Sequence, residues 1–369
     1  MTNREHMTTN IEIEREMLSK PGDTISETIE FLKMNQAELA ERMGRTPAKI
    51  NDLISGKAPI TVNTAMQLEK VLGIDMQFWL NREMQYREKL ARIEQEEFLK
   101  TCLNWLKDQP VKELQHSGFL KVGKMGTEMV SDCLQFYGVA SPEQWKSVYV
   151  NSYASADFRR SKAHMSSLGG MAAWLRIGEL KLQKLQLPEF DKDAFKKVLT
   201  EAKKLVENQP EDFAERLRDM CSSSGLALIY SDNMPKAPIS GATRWIGGRP
   251  LIQLTDRYKT NDHFWFTFYH EAGHILLHGK KDVFIEEYVG AENDNIKEKE
   301  ANEFARDFLL PDSFLELTSG PVDERLIKKI ARNYATHPAI VVGRLQNLGI
   351  LAHSFGTGFK IKISLKNLV

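Results

Sequence analysis

The sequence has few cysteines, no excess of charge of either sign and no long apolar run. Its three cysteines, Cys102, Cys133 and Cys221, lie far apart without a C-x-x-C pair, which argues against a disulfide framework and against a cysteine-based zinc site. The 50 basic and 50 acidic residues cancel, so any contact with nucleic acid must come from a local patch. No apolar run reaches the roughly 18 residues of a membrane span, and residues 1–10 lack an apolar signal segment. We therefore expect a soluble cytoplasmic protein without a membrane partner.

The strongest chemical signal is in residues 264–278, which have the apolar pattern of a buried helix. His270 and His274 are four residues apart, so on a helix both imidazoles project from one face and can bind one metal ion. Glu271 follows the first histidine. In this H-E-x-x-H arrangement two imidazoles bind Zn²⁺ and the glutamate acts as the general base. The sequence predicts a zinc centre, whose ligand types would also accept Mn²⁺.

A catalytic zinc centre needs a third protein ligand. His278 lies one further turn along the same helix, beyond the axial reach of one metal ion, and we interpret it as structural. The metzincin pattern is excluded, because Leu277 and Lys280 occupy the positions of its glycine and its third histidine. A glutamate on the following predicted helix remains. The apolar stripe of that helix places Glu298 near its edge and Glu300 further round the side, so we predict Glu298 as the ligand and keep Glu300 as the alternative.

Near the N-terminus, two short predicted helices flank a tight turn. The first covers residues 35–44 and ends in Gly44, and the second follows in residues 45–56, with Thr46 as its cap and Pro47 at its first position. This pattern is typical of a helix-turn-helix, in which the second helix enters the major groove of DNA by its N-terminal end. Plain bundle packing is the alternative interpretation.

Residues 225–311 resemble the ImmA/IrrE family of metallopeptidases. The resemblance rests on F-T-x-x-H-E-x-G-H-x-x-x-H followed by E-x-x-A-N-x-F-A-x-x-x-L-x-P, which are here Phe266, Thr267, His270, Glu271, Gly273, His274, His278, Glu298, Ala301, Asn302, Phe304, Ala305, Leu309 and Pro311. The resemblance implies that His270, His274 and Glu298 bind the metal and that Glu271 is the general base. Members of this family cleave repressor proteins that carry a helix-turn-helix.

Residues 24–81 resemble XRE-type repressors, and I-T-x-x-x-A-x-x-L-x-x-x-L-G-x-x-x-x-F-W-L-N at 60–81 looks like HigA-type antitoxins. By position, this resemblance implies phosphate contacts from Gln36, Arg45, Thr46 and Lys57. It implies that the residues facing base edges are Ala48, Lys49, Asn51 and Asp52. Because Pro47 and Ala48 stand where phage repressors often have glutamine, Lys49 and Asn51 are the strong donors that remain. We expect moderate, salt-sensitive affinity for operator double-stranded DNA, bound as a homodimer on paired half-sites.

Turn signals and composition divide the chain into five parts. These are a flexible N-terminal tail (1–22), a helix-turn-helix domain (23–81), a connecting helix that could help dimerise the chain (82–107), a helical middle region (108–224) and a zincin-like metallopeptidase domain with a C-terminal helical subdomain (225–369). The predicted fold class is mainly α with a small β-sheet (α+β), with an all-helical N-terminal domain.

Several finer expectations concern the C-terminal domain. Strands are predicted at 226–230, 239–246 and 251–254, with Gly247-Gly248 as a hairpin turn and a last strand in 356–369. We expect the 239–246 strand to be an edge that binds an extended substrate by main-chain hydrogen bonds, with a buried or covered strand as the equally weighted alternative. The candidates for stabilising the oxyanion are Tyr258, His263 and Tyr269.

Two further patterns in the sequence carry weaker signals. Residues 323–351 form a second helix-turn-helix-like pair, which we interpret as structural, with a second DNA reader as the alternative. A small basic run is interpreted as a solvated face, and contact with nucleic acid or a substrate protein is the alternative. The run comprises Arg159, Arg160, Lys162 and His164.

These patterns support three functional hypotheses. The first is a DNA-binding transcriptional regulator whose zinc peptidase cleaves a repressor-type protein, or the chain itself, to lift repression. The second is a HigA-like antitoxin or autorepressor whose peptidase-like domain binds a toxin or senses a signal without routine proteolysis. The third, suggested only by the basic runs and aromatic residues, is sensing of single-stranded DNA.

Overall fold

The computed structural model describes residues 11–151, 168–234, 237, 239–255, 257, 260–279, 284–286, 296–318, 320–363 and 365. The chain divides into two compact units, Met1–Leu103 and Asn104–Val369. The predicted fold class is confirmed, because the described residues are mainly helical with one small sheet. The basic run at 159–164 and Tyr258 lie outside the described residues.

The first unit consists of helices. They are α1 (11–16), α2 (Pro21–Phe31), α3 (Gln36–Arg42), α4 (Pro47–Ile54), α5 (Val62–Leu72) and α6 (Met76–Thr101). Apolar residues at helical spacing meet in one core that includes Ile25, Leu39, Ile50 and Leu68. Trp79 of α6 completes this core and donates a hydrogen bond from Nε1 to the carbonyl oxygen of Ile74 at 3.2 Å.

The described part of the predicted N-terminal tail (1–22) contains a helix. Residues 11–16 are helical and Ile11 is buried, while Arg15 forms an ion pair with Glu97 of α6 at 2.8 Å. The next helix begins at Pro21, two residues before the predicted start of the helix-turn-helix domain at residue 23. The backbone N–H of Lys20 donates to the Asp23 carboxylate at 2.8 Å, so Asp23 caps the helix from inside its first turn.

The predicted connecting helix is the C-terminal part of α6. This helix runs without interruption for 26 residues from Met76, so the expected boundary at residue 81 falls within it. Burial of Trp79, Tyr86 and Ile93 shows why, since the apolar stripe continues across that boundary. Arg87 pairs with Glu83 at 2.7 Å and donates to the carbonyl oxygen of Gly56, which links α6 to the segment after α4.

The second unit begins with a helical region. A 3₁₀ helix (Leu103–Asp108) is followed by α7 (Val111–His116), α8 (Thr127–Tyr137), α9 (Pro142–Trp145) and a π-helical turn (Lys146–Asn151). Then come α10 (Leu168–Lys184), α11 (Lys192–Asn208) and α12 (Phe213–Ser223).

The sheet consists of β1 (Ala227–Tyr230), β2 (Gly241–Ile246), β3 (Arg249–Leu254) and β4 (Phe284–Glu286), in the order β1-β3-β2-β4. β1 pairs with β3 in parallel, whereas β2 pairs antiparallel with both β3 and β4. Gly247 and Gly248 have φ values of 58° and 80°, as the tight turn between β2 and β3 requires. The prediction that residues 239–246 form an edge strand is wrong, because Gly241–Thr243 of β2 pair with β4.

The remaining helices are α13 (Asn261–Leu277), α14 (Ile296–Leu309), α15 (Glu324–Asn333) and α16 (Pro338–Asn347), with 3₁₀ helices at Asp312–Thr318 and Thr357–Phe359. α13 is the central helix of this unit, and nearly all its residues are buried. α13 packs on one face of the sheet and α10 on the other, since Thr243 of β2 contacts α13 and the neighbouring Arg244 contacts α10.

Two expectations for the C-terminal segment are resolved by its packing. The last strand is not formed in the described residues 356–363, where a 3₁₀ turn is followed by a single bridge from Lys362 to Thr260. Lys360 pairs with Asp262 at 2.7 Å and so holds this segment against the start of α13. The pair α15 and α16 is structural, because the first turns of α16, including Ala339 and Val342, are buried and cannot enter a DNA groove.

Candidate metal centre and DNA-reading helix

Polar contacts on the side of α13 that faces α11 fix the rotation of this helix about its axis. Trp265 donates from its indole nitrogen to Gln209 at 2.7 Å, and the Tyr269 hydroxyl donates to the carbonyl oxygen of Leu199 at 2.9 Å. With these side chains fixed, His270 and His274 project from another face of the helix. Their Nε2 atoms lie 3.0 Å apart, and both residues are buried, with 2% and 1% exposure.

α14 brings the third donor to the same point. The Glu298 carboxylate lies 3.2 Å from Nε2 of His270 and 3.5 Å from Nε2 of His274. The two helices approach closely because residue 273 is glycine: a Cβ atom there would lie 3.3 Å from Cα of Ala301. Glu300 points elsewhere, so of the two glutamates considered from the sequence, the structure places Glu298 beside the imidazoles.

The three donors form a group suited to a divalent metal ion. In a tetrahedral zinc site with bonds of about 2.0–2.2 Å, neighbouring donor atoms are roughly 3.3–3.5 Å apart. The separations of 3.0, 3.2 and 3.5 Å are close to that geometry. Two imidazole nitrogens and one carboxylate also form the donor set of catalytic zinc sites. The residues present therefore fit Zn²⁺.

Hydrogen bonds behind the histidines set which ring nitrogen carries the proton. Nδ1 of His270 lies 3.0 Å from the side-chain oxygen of Asn302, so it donates and Nε2 presents its lone pair to the metal position. For His274 the relay is longer. Nε2 of His278 donates to Glu300 at 3.0 Å, and Nδ1 of His278 accepts from Nδ1 of His274, also at 3.0 Å. His278 and Glu300 thus orient the ligand His274.

Burial and mutual contact shift the ionisation of this group. Burial lowers the pKa of His274 to about 4, so its imidazole is neutral near pH 7, the form that binds metal. Glu298 supplies the third donor as a partly exposed carboxylate facing both Nε2 atoms. The centre therefore presents two neutral imidazoles and one carboxylate.

Glu271 is fully buried and is oriented by β2. The Thr243 hydroxyl lies 2.6 Å from Oε2 of Glu271 and donates to it. At the start of the strand, Gly241 makes room for the carboxylate, since a Cβ atom there would lie 2.6 Å from Oε1. Sequence reasoning missed Thr243 and Gly241, because neither lies in a motif with Glu271. A strand predicted directly before the motif helix was the only available signal.

Of the three candidates for oxyanion stabilisation, Tyr258 lies outside the described residues, and Tyr269 and His263 do not lie at the centre. The Tyr269 hydroxyl donates its hydrogen bond to the carbonyl oxygen of Leu199 in the core. His263 precedes His270 by seven residues, which is about 10 Å along a helix. Burial also lowers the pKa of His263, consistent with a neutral packing residue.

In the first unit, α3, the turn and α4 have helix-turn-helix geometry. Thr46 caps α4, Gly44 in the turn has φ 63°, and Ile50 and Leu53 face the core. The outward residues are exposed at the start of α4 and beside it; they are Gln36, Thr46, Ala48, Lys49, Asn51 and Lys57, with Asp52 half-buried. Arg45 differs, because its guanidinium donates to Gln67 and Thr64 of α5, each at 2.8 Å, which fixes the turn.

Two family comparisons agree with these geometries. Residues 32–79 match the family described as helix-turn-helix, and residues 221–345 match the family described as IrrE N-terminal-like domain. The chain belongs to the helix-turn-helix proteins and carries an IrrE-like domain. The resemblances to XRE-type helix-turn-helix proteins and to the ImmA/IrrE family are thereby confirmed, and the IrrE-like domain is of metallopeptidase type.

Similar proteins are known for a short part of the chain. The uncharacterized HTH-type transcriptional regulator YddM of Escherichia coli (strain K12) is 37% identical over 62 residues, which are 17% of this chain and 66% of that protein. Virulence-associated protein I of Dichelobacter nodosus is 34% identical over 74 residues, which are 19% of this chain and 67% of that protein. This chain thus spans about two thirds of these relatives, and they cover less than a fifth of it.

The IrrE-like domain contains His270, Glu271, His274 and Glu298 within its matched range, whereas the helices before residue 221 lie outside it. Among the described residues, no helix is long and apolar enough to cross a membrane.

Proposed function

We propose that this helix-turn-helix transcriptional regulator is also a zinc-dependent peptidase, with Mn²⁺ as the alternative metal. The observation that carries the proposal is the convergence of His270, His274 and Glu298 from two helices, with the fully buried Glu271 next to the first of them. Buried imidazoles and carboxylates without a structural ion-pair role are costly, and metal binding is the common reason for such a group.

The residues divide the chemistry among them. His270, His274 and Glu298 would hold the metal, which when bound polarises a carbonyl group and makes water more acidic. Glu271 takes a proton from the attacking water and passes it to the leaving amine, a step typically worth about 10²–10⁴ in rate. Thr243 holds the carboxylate of Glu271 in place during both transfers. Asn302, His278 and Glu300 keep the ligand imidazoles in the tautomer that binds metal.

The DNA-binding part of the proposal rests on the exposed N-terminal end of α4. Lys49 and Asn51 would read base edges together with Ala48 and Asp52, while Gln36, Thr46 and Lys57 would contact phosphates. The internal bonds of Arg45 assign it mainly to holding the turn, leaving part of its guanidinium for a phosphate. A homodimer on paired half-sites would supply the affinity that one short helix lacks.

The substrate we propose is a repressor-type helix-turn-helix protein or this chain itself, so that cleavage lifts repression. The test is intact mass against time for the wild type and for Glu271→Gln, each with Zn²⁺ or Mn²⁺, with and without DNA. Cleavage of the wild type alone, between the two compact units, would establish a self-cleaving regulator.

If both proteins keep their full mass, self-cleavage is refuted, and the same pair is incubated with candidate repressor and toxin proteins. Cleavage by the wild type alone then identifies a substrate. Partner binding that is equal in the wild type and in Glu271→Gln, without cleavage, would instead support the antitoxin-like binding function.

A further inference from the structure

A second cavity lies on the face of the sheet opposite the metal centre. It has a volume of about 380 Å³, is open to solvent and is lined by the end of α8, the π-helical turn, α10 and β2. Its charged lining residues are Arg176, Glu179 and Arg244. The volume is within the range of roughly 300–1,000 Å³ that small-molecule sites occupy.

The charges in this cavity do not balance. Glu179 pairs with Arg176 at 2.8 Å through one oxygen and with Arg244 at 3.1 Å through the other. Two guanidinium groups and one carboxylate leave one positive charge, and arginine cannot lose its proton in a protein. All three side chains are at least four-fifths buried, so water compensates this charge only partly.

Arg244, which lines the cavity, also carries a donor without a described acceptor. Its side chain is 4% exposed and its terminal nitrogens bond to Glu179, Leu175 and Gln253. Its Nε atom is buried without a hydrogen-bond partner among the described residues. A buried donor without an acceptor is destabilising, which adds to the unbalanced positive charge of this cluster.

The rest of the lining is apolar and aromatic. Tyr137, Val139, Val148, Trp245 and Ile246 line the cavity beside the arginines. Flat aromatic walls next to a guanidinium favour a ligand with one negative charge and a compact apolar body.

We infer that this cavity is a binding site for a small organic monoanion, a carboxylate on a flat apolar body. α10, which carries Arg176 and Glu179, lies outside the part of the chain that matches the IrrE-like family, whereas Arg244 and Trp245 of β2 lie inside it, so the site joins the two parts. The inference does not depend on the proposed peptidase activity. Arg244 of this site directly follows Thr243 in β2, and Thr243 contacts Glu271 on the other face of the sheet.

The test uses benzoate as the probe, benzamide as its neutral counterpart and acetate as the charge without the apolar body. Full-length protein labelled with 5-fluorotryptophan is titrated with each probe and followed by ¹⁹F NMR. Trp245→Phe assigns the Trp245 signal among those of the six tryptophans. We expect benzoate to shift that signal, with at least about tenfold weaker binding of benzamide and acetate. Repeating the titration in EDTA separates this site from carboxylate binding at the metal centre.

Two variants and a matched control decide the outcome. Arg176→Gln removes the excess charge and should weaken benzoate binding at least about tenfold. The control Arg249→Gln removes an arginine whose hydrogen bonds within the described residues go to backbone carbonyl groups outside the cavity, and it should leave binding unchanged. Val148→Phe fills the cavity from a half-exposed position without touching a charge and should also abolish binding. The inference is overturned if benzoate leaves the Trp245 signal unmoved, if benzamide binds equally well, or if Val148→Phe binds benzoate like the wild type.

Discussion

The contact between Thr243 and Glu271 allows a sharp test of how the sheet supports the proposed catalytic base. Thr243→Val keeps the shape of the side chain and removes the hydroxyl that donates to Glu271 at 2.6 Å. Thr243→Ser keeps the hydroxyl and removes only a methyl group. Thr243 is 1% exposed and Glu271 is fully buried, so water cannot replace the lost donor.

The magnitude follows from the burial of both groups. A hydrogen bond to a charged group contributes about 1.5–3 kcal/mol to stability. We therefore expect Thr243→Val to lower the free energy of unfolding of the second unit by about 2 kcal/mol. At roughly 2–4 °C per kcal/mol for a domain of this size, its midpoint should fall by about 4–8 °C. Zinc affinity should change little, because Thr243 touches none of the three ligands.

Calorimetry of the full-length protein measures this effect. The transition of the second unit is recognised as the one that EDTA lowers, since metal binding stabilises the folded state. Thr243→Ser serves as the control. Its unfolding midpoint should fall by no more than about a third of the fall seen for Thr243→Val. Our account of β2 as the support of Glu271 would be refuted by a valine variant as stable as the wild type, or by a serine variant that loses equally much.

Three further predictions address other parts of the molecule. Glu300→Ala should weaken zinc binding about 10–100-fold by releasing His278, while the control Glu303→Ala on the same helix should not; equal zinc affinity in both variants, measured by competition with a chelator, contradicts the relay. Partial burial lowers the pKa of the half-buried His263 and His337 below the usual 6.5, so the unfolded chain binds more protons and stability should fall as pH drops below about 6.5. Unfolding curves in which His263→Gln keeps the full pH dependence would count against His263. Lys57→Ala should weaken binding to all DNA sequences alike and reduce the slope of log K against log salt concentration by about one. An unchanged slope in fluorescence-anisotropy titrations would show that Lys57 does not contact a phosphate.

Several expectations failed where packing overrides local signals. Pro21 and Gly22 look like the end of a tail, yet Pro21 starts a helix because Asp23 caps it from within. Residues 239–246 have the pattern of an edge strand, yet three residues far along the chain, Phe284–Glu286, cover β2. Pairing of this kind depends on where a distant segment returns, which a short apolar pattern does not encode.

The sequence by itself determined what depends on neighbours within one helix turn. The four-residue spacing of His270 and His274 places both imidazoles on one face wherever the helix lies. The cap at Thr46 and the glycine turn at Gly44 likewise define a helix-turn-helix locally, and the family comparison confirms that domain. Only the tertiary structure decided between Glu298 and Glu300, brought Thr243 to Glu271, and formed a charged cavity between α10 and β2. Each of these contacts joins segments more than 20 residues apart, and their distance and orientation depend on packing of the whole unit.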